Sequence, residues 1–539
     1  MPTLNWIGKD AVINHHHEVK FRLLKDVPEL GCGDPGTGNL IVEGDNLEAL
    51  KALLPYYAGQ VKCIYIDPPY NTGNEGWVYN DNVKSPLITE WLGKVVGKEG
   101  ETLDRHDRWL CMMYPRLALL KEFLREDGSI FISLDDNEIQ ALRYVMDEIF
   151  GAQNFITTVL WQKVYSPKNS ARHFSEDHDY IAVYAKNAQV WTPNLVGRSD
   201  EQDAAYKNRD NDPRGPWKTG DLSARNFYSQ GTYEIIGPTG RVIVGPPTGM
   251  YWRVSKTKFD ELNRDNRIWW GKDGTAIPQI KRFLSEVKQG VVPQTMWFYK
   301  DVGHNQDAKK ELVEVMDFKD SDSVFITPKP TRLIERILQI ATNPGDLVLD
   351  SFAGSGTTGH AVLKMNAANA EAEARRFILV EMEPTIAKTI TAERVKRVAE
   401  GYTNVKGEAV PRLGGGFRYC QLGEPLFDEA GQIRSTVKFG ELARHVWFTE
   451  TGEPLPRERV MNTPLLGVHR GTGIYLLYNG ILGDKSAQGG NVLTRAILAD
   501  LPAFDGPKVI YAAACLLGPD RLSAYQITVR QTPKQIRTA

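Results

Sequence analysis

The stretch Asp346–Met365, DLVLDSFAGSGTTGHAVLKM, constrains the fold of this chain more than any other. Leu347, Val348 and Leu349 make a short apolar run that ends on Asp350. Gly354 and Gly356 follow, and the stretch continues as HAVLKM, with Thr357 and Thr358 placed to cap a helix. Strand, glycine turn and helix in this order belong to a layered α/β fold. The glycines let a ligand approach the backbone, and a helix start offers unpaired N–H groups. A Walker loop needs Lys followed by Ser or Thr, and Thr357-Thr358 stand there instead. Gly354–Gly359 formally supplies a G-x-G-x-x-G pattern, but Asp350 puts an acid on the rim. That acid repels phosphate and attracts a cation. The next apolar run, Arg376–Val380, ends at Glu381, a position suited to ribose hydroxyls. A solvated strand end is the plainer alternative. The pattern favours a nucleoside over a pyrophosphate.

A second stretch, CIYIDPPYNTG, runs from Cys63 to Gly73. Ile64, Tyr65 and Ile66 read as a buried parallel strand. Pro68 and Pro69 cannot donate ladder hydrogen bonds, so the strand stops there. Proline also holds the residue before it extended. The result is a stiff tip with Asp67 at its base and Tyr70 at its end. Ligands of open α/β sheets bind at the carboxyl ends of strands. An acidic turn closed by a packing tyrosine remains the bland alternative.

Composition narrows the class. The 539 residues suit three to four domains at about 150 residues each. The sequence has no apolar run of about 18 residues, so no membrane span is expected. The N-terminus lacks a signal-peptide core, which predicts a cytoplasmic protein. Cysteines at 32, 63, 111, 420 and 515 form no CxxC pair, and His15-His16-His17 has no completing acid or thiol pattern, so no metal is expected. The formal net charge of -2 predicts that any nucleic-acid contact rests on a local basic patch.

DPPY at Asp67–Tyr70 with DSFAGSGTTG at Asp350–Gly359 resembles the amino-methyltransferases of DNA. The order, tetrapeptide early and glycine motif late, resembles the circularly permuted beta group of adenine-N6 methyltransferases. EGDNLEAL (43–50), WLCMMYPRLALLKEFLREDGSIFISLDDNE (109–138) and DPRGPWKTGDLSA (212–224) are similar to modification subunits of type III restriction-modification systems. The resemblance implies a Rossmann-like, S-adenosylmethionine-dependent mixed sheet. It also implies that Asp67 and the Pro68 carbonyl hold the target amine, that Pro69 shapes the turn and that Tyr70 stacks on a flipped base. It places Asp350, Phe352, Ala353, Gly354, Gly356 and Thr357 at the cofactor, Glu381 at its ribose and Asp45 with Asn46 near its adenine. Lys329, in TPKPTRL, falls in the segment on the cofactor side.

The expected organisation is an N-terminal extension (1–34), a first methyltransferase part (35–155), an insert (156–322), a second methyltransferase part (323–408) and a small C-terminal α/β domain (409–539) serving assembly. Strands are predicted at Leu40–Glu43, Val61–Ile66 and Ser129–Leu134, with a helix from Asp107 to Arg125. Asp135-Asp136-Asn137-Glu138 reads as helix capping. The two sheet parts become neighbours in space through crossover connections. The insert interleaves bases with aromatics, as phosphate contact and base stacking require. It reads as a target-recognition domain, with Lys207, Arg209, Arg214, Lys218 and Arg225 anchoring the DNA backbone. A packed accessory domain with core aromatics is the alternative.

The expected activity is methyl transfer from S-adenosylmethionine to the N6 amine of an adenine flipped from double-stranded DNA. Cytosine-N4 methylation is the nearest rival, and a non-catalytic DNA-binding subunit the rival from another class. The resemblance implies a homodimer and leaves room for a restriction (helicase-nuclease) subunit.

Overall fold

A computed structural model describes residues 4–72, 105–198, 203–287, 290–316, 318, 327–456, 463–480, 486 and 489–533. They form two compact units, Asn194–Pro293 and the remainder of the chain.

The larger unit is built on an eleven-stranded mixed sheet. In chain order its strands are β1 (Arg22–Asp26), β2 (Cys32–Gly33), β3 (Leu40–Glu43), β4 (Val61–Ile66), β5 (Leu124–Leu134), β6 (Phe155–Gln162), β7 (His178–Ala185), β8 (Met296–Trp297), β9 (Leu347–Asp350), β10 (Arg376–Glu381) and β11 (Gly416–Pro425). Their spatial order is β1-β11-β3-β10-β9-β4-β5-β7-β6-β8, with β2 also paired to β11. The late strands β9 and β10 thus lie between the early strands β3 and β4, as the two separated motifs require. β3, β10, β9, β4 and β5 run parallel, while β7 is antiparallel to both β5 and β6. β3, β4 and β9 are buried along their whole length, which is why they read as unbroken apolar runs.

Helices cover this sheet. α1 (Asn46–Tyr57) packs on α2 (Arg105–Phe123). α3 (Ile139–Met146) follows β5. α4 (Thr331–Ala341) packs on α5 (Thr357–Ala368), and α5 in turn on α6 (Glu393–Glu400). The parallel strands share one carboxyl edge, because Glu43 pairs with Glu381, Asp350 with Leu379 and Ile66 with Ile132. α5 connects β9 to β10 on one side, and β4 flanks β9 on the other. The ends of β9 and β4 therefore frame a crevice of the kind that binds ligands.

Several boundaries differ from the sequence reading. α2 ends at Phe123 and β5 begins at Leu124, where it pairs with Val61. The separate unit spans 194–293 rather than 156–322, because β6 and β7 add to the main sheet beside β5. Residues 1–34 are not an appendage, since β1 and β2 pair with β11. β11 itself runs parallel to β3, with Tyr419 and Cys420 buried, so 416–425 belong to the main sheet and not to a C-terminal domain. Beyond it a four-stranded sheet joins Leu465–His469, Thr472–Leu476, Lys508–Ala512 and Ile527–Gln531.

The smaller unit holds a three-stranded sheet, Ile268–Trp269, Gln279–Phe283 and Trp217–Asp221. Its core is Leu222, Ile235, Trp252, Phe259, Ile268 and Trp270.

Candidate active site

The tip after β4 is held from behind. The indole Nε1–H of buried Trp109 donates to the Pro69 carbonyl at 2.7 Å. Asn71 turns the chain with a positive φ of 59°, and its amide donates to the Arg105 carbonyl (3.0 Å) and to Glu138 Oε1 (2.5 Å). Gly73, the end of the quoted turn, lies outside the described residues. His106 Nδ1 also reaches Glu138 Oε1, at 2.7 Å. Glu138 thus anchors the tip and makes no side-chain cap on α3, contrary to the capping expected of it. Its burial raises its carboxyl pKa.

The tyrosine of the tip is oriented through its hydroxyl. Tyr70 Oη donates to Asp179 Oδ2 at 3.4 Å, and Asp179 Oδ1 accepts from Lys163 Nζ at 2.6 Å. Burial raises the Asp179 carboxyl pKa and pushes the Tyr70 phenol well above its ordinary range. The Lys329 ammonium pairs with Asp67 Oδ2 and lies 5.0 Å from the Tyr70 ring centroid. Asp67 Oδ1 is buried and meets no hydrogen-bond donor among the described residues.

The glycine loop is equally fixed. Asp350 accepts from the Phe352 amide (3.0 Å) through Oδ1 and from the Thr358 hydroxyl (2.5 Å) through Oδ2. Its complete burial pushes its pKa up to about 7. Gly356 is the N-cap residue of α5, with φ 75°, and Thr357 and Thr358 do not cap the helix as expected. Their hydroxyls are used elsewhere, that of Thr357 on the Lys329 carbonyl at 3.2 Å. The buried Arg394 guanidinium donates to Ser355 Oγ (3.1 Å) and Thr357 Oγ1 (2.8 Å), and Thr391 Oγ1 donates to the Gly354 carbonyl (2.5 Å).

Tip and loop face each other across a cavity of about 210 Å³. Asp67, Pro68, Pro69 and Tyr70 line one part of it; Lys329, Asp350, Phe352, Ala353, Gly354 and Thr357 line another. Gly356, Asp45, Asn46 and Glu381 stand outside this lining. Asp45 caps α1 and pairs with Arg116 at 2.8 Å. The Asn46 amide donates to the Ser351 carbonyl at 3.2 Å, which braces the glycine loop. Glu381 accepts from the Gly354 and Glu383 amides, both at 2.9 Å.

Trp109, Lys163, Asp179 and Arg394 escaped the sequence reading. Trp109 lies in an apolar helical stretch and looks like any core tryptophan. Asp179 and Lys163 stand on and beside strands that read as part of an insert.

The five predicted DNA-contacting bases separate into two groups. Lys207, Arg209 and Arg225 are exposed. Arg214 pairs with Asp212 at 2.8 Å and Asp265 at 3.1 Å and lies 4.4 Å from the Phe283 ring centroid; Lys218 lies 4.9 Å from that of Tyr206. Arg214 is thereby bound into the fold of its own unit. Trp217 and Trp252 are fully buried, so these tryptophans are core, as the alternative reading of the insert held.

The site couples a stiff Asp-Pro-Pro-Tyr tip to a glycine loop and an acid, and the pattern of the DNA methylase family matches residues 61–393, spanning both. The chain belongs to the DNA methylase family. Three relatives of this methylase illustrate the similarity. The StyLTI Mod subunit of a type III restriction-modification enzyme from Salmonella typhimurium is 34% identical over 425 residues, 74% of this chain and 62% of that protein. The type II methyltransferase M.KpnI of Klebsiella pneumoniae is 28% identical over 433 residues, 76% of this chain and 94% of that protein. The DNA adenine methyltransferase YhdJ of Escherichia coli K12 is 45% identical over 355 residues, 65% of this chain and 82% of that protein. The chain spans 62–65% of the length of the three type III Mod subunits of Salmonella, phage P1 and Escherichia coli that it matches.

Proposed function

We propose that this methylase transfers a methyl group from S-adenosylmethionine to the N6 amine of an adenine flipped out of double-stranded DNA, as the modification component of a restriction-modification system. The observation that carries the reading is one cavity lined by both the Asp67–Tyr70 tip and the glycine loop. The names of the Mod subunits and of the adenine methyltransferase among its relatives support the system and the base.

The residues of the cavity fit such a cofactor. The acid of Asp350 suits a cation, Phe352 and Ala353 offer apolar contact, and the loop backbone is close to the space. S-adenosylmethionine, when bound, supplies an electrophilic methyl group on a sulfonium. The exocyclic amine of adenine is a weak nucleophile, because its lone pair is delocalised into the ring. Asp67 Oδ1, buried and without a donor among the described residues, is the acceptor for one of its hydrogens, and the Pro68 carbonyl for the other. Two acceptors so placed aim the lone pair out of the ring plane, and holding the reactants at near-attack distance removes much of the barrier. Asp67 also stabilises positive charge as it develops on nitrogen. Tyr70, fixed by Asp179, supplies the face on which the flipped base stacks, which offsets part of the few kcal/mol that flipping costs.

Asp45, Asn46 and Glu381 serve the cofactor through the loop they brace, and Glu381 takes the ribose. Unit 194–293 reads the DNA sequence, and its exposed Lys207, Arg209 and Arg225 anchor phosphates. The enzyme works in the cytoplasm as a homodimer, with a helicase-nuclease subunit as restriction partner. Among the described residues no helix is long and apolar enough to cross a membrane.

The test is sequencing, with base-modification detection, of DNA from a host expressing the protein. N6-methyladenine at one recurring motif is expected, and its disappearance with Asp67→Ala. Modified cytosine at that motif would move the assignment to N4 chemistry; unmodified DNA would overturn it.

A further inference from the structure

Lys329 is the residue whose position departs furthest from its expected role. Its ammonium is turned to the acid of the tip, where it pairs with Asp67 Oδ2. It is only 8% exposed, and its carbonyl accepts from the hydroxyl of Thr357, in the glycine loop. One residue therefore meets the loop through its backbone and the catalytic acid through its side chain.

The electrostatics of the cavity give that contact a purpose. Asp67 shares its surroundings with the carboxyl groups of Asp179 and Asp350. Lys163, the other lysine lining the cavity, is engaged by Asp179 at 2.6 Å. A carboxylate crowded by other acids is steadied by a cation held against it. Lys329 is that cation. Its contact is confined to Oδ2, so among the described residues Oδ1 stays buried and without a donor. The same ammonium lies 5.0 Å from the centroid of the Tyr70 ring, so acid and stacking ring are registered by a single group.

We propose that Lys329 is a positioning residue for the catalytic acid: it fixes the orientation of Asp67 so that Oδ1 is presented to the target amine. This rests on the methyl-transfer reading above. Lys329 accordingly acts on transfer and leaves cofactor affinity to the loop.

The experiment uses the full chain and four variants: Asp67→Asn, Lys329→Met, Lys329→Arg and the double variant Asp67→Asn with Lys329→Met. Three quantities are measured: calorimetric affinity for S-adenosylmethionine, single-turnover transfer of tritiated methyl to unmethylated bacterial DNA at saturating cofactor, and thermal unfolding. Lys329→Met is expected to slow transfer by about tenfold or more while cofactor affinity stays within about twofold of the wild type. Lys329→Arg, which keeps the charge, should recover most of the rate. The unfolding shifts of Asp67→Asn and Lys329→Met should fall short of adding in the double variant, because both remove one pair. A tenfold loss of cofactor affinity with an unchanged transfer rate would overturn the proposal, as would additive unfolding shifts. If the wild type itself transfers no methyl to DNA, the functional reading fails, while the unfolding cycle and the cofactor affinities still decide whether Lys329 acts on Asp67.

Discussion

The indole of Trp109, on α2, donates to the carbonyl of Pro69, forty residues earlier in the chain, at 2.7 Å. A proline carbonyl at a strand end has no ladder partner, and this one lies in a buried environment. The bond ties the base-facing tip to the helix layer behind the sheet. Trp109→Phe keeps most of the ring and removes the donor. It should cost about 1–3 kcal/mol of stability, the penalty for an unsatisfied buried acceptor. The rate of methyl transfer should fall, with cofactor affinity preserved. Denaturant unfolding with a tritium-transfer assay checks both; an unchanged rate would show that the tip needs no support from α2.

Asp67→Ala is expected to abolish transfer and to leave cofactor binding largely intact. Asp67 stands at the end of β4, and the glycine loop is organised by contacts of its own, from Arg394, Thr391 and Asn46. Calorimetry with S-adenosylmethionine and the tritium assay are the measurements. Wild-type transfer by this variant would sink the mechanism.

Gly356→Val tests the loop. At φ 75° a side chain is already strained, and an added Cβ would sit 2.9 Å from the Thr391 carbonyl oxygen. That oxygen is backbone and cannot swing aside. The loop should be displaced and cofactor binding lost, with the far-ultraviolet spectrum of the fold retained. Undiminished affinity in a folded variant would mean that the turn has no part in binding.

Much of this was legible in the sequence, and the reason is physical. β3, β4, β9 and β10 are buried strands bounded by Gly, Pro and acids, so local composition alone marks them. The same clarity exposes Asp67 and Asp350 at the sheet edge. What was hidden depends on distant pairing. β6 is mostly half-buried, β7 is largely buried, and both sit beside basic, aromatic surroundings, so only the pairing of β7 with β5 and of β6 with β7 reveals them as part of the main sheet. The role of Lys329 needed the approach of two segments that are far apart in sequence. Arg214 looked like a DNA contact because sequence cannot show that Asp212 and Asp265 already hold it.

Asp350 makes a prediction about pH. Its carboxyl is raised from an ordinary 3.8 to about 7, chiefly by burial. In the fold it keeps its proton at pH values where the unfolded chain has lost it. Its contribution to stability is therefore whole below the unfolded pKa and is lost as pH rises through about 7. Asp350→Asn should flatten the fall in melting temperature between about pH 4 and pH 7. Under the proposed function a bound sulfonium favours the ionised carboxylate, so cofactor affinity should climb as pH rises through the same range. Calorimetry in buffers of differing ionisation enthalpy should then show proton release on binding. A pH-independent affinity would separate Asp350 from the cationic part of the cofactor.

The last prediction concerns unit 194–293. Lys207, Arg209 and Arg225 are exposed, whereas Arg214 lies within a network with Asp212 and Asp265 that also holds Lys281. The two groups should respond differently to truncation. Arg209→Ala and Arg225→Ala should weaken binding to all DNAs alike and reduce its salt dependence, as loss of a phosphate contact does. Arg214→Ala should leave Asp212 buried with Lys281 as its remaining close cation, and so lower the melting temperature of the unit. Its effect on DNA binding should follow only from that loss of structure. Fluorescence anisotropy across a salt series, beside thermal unfolding of each variant, separates the cases. The unit as a whole can be tested by exchanging it for that of a relative with a different recognition motif. A folded, active chimera that still methylates the original motif would show that sequence reading lies elsewhere in the chain. If the chimera instead adopts the donor's motif, the sheet unit is indifferent to sequence, as expected of a layer that already holds the cofactor and the amine.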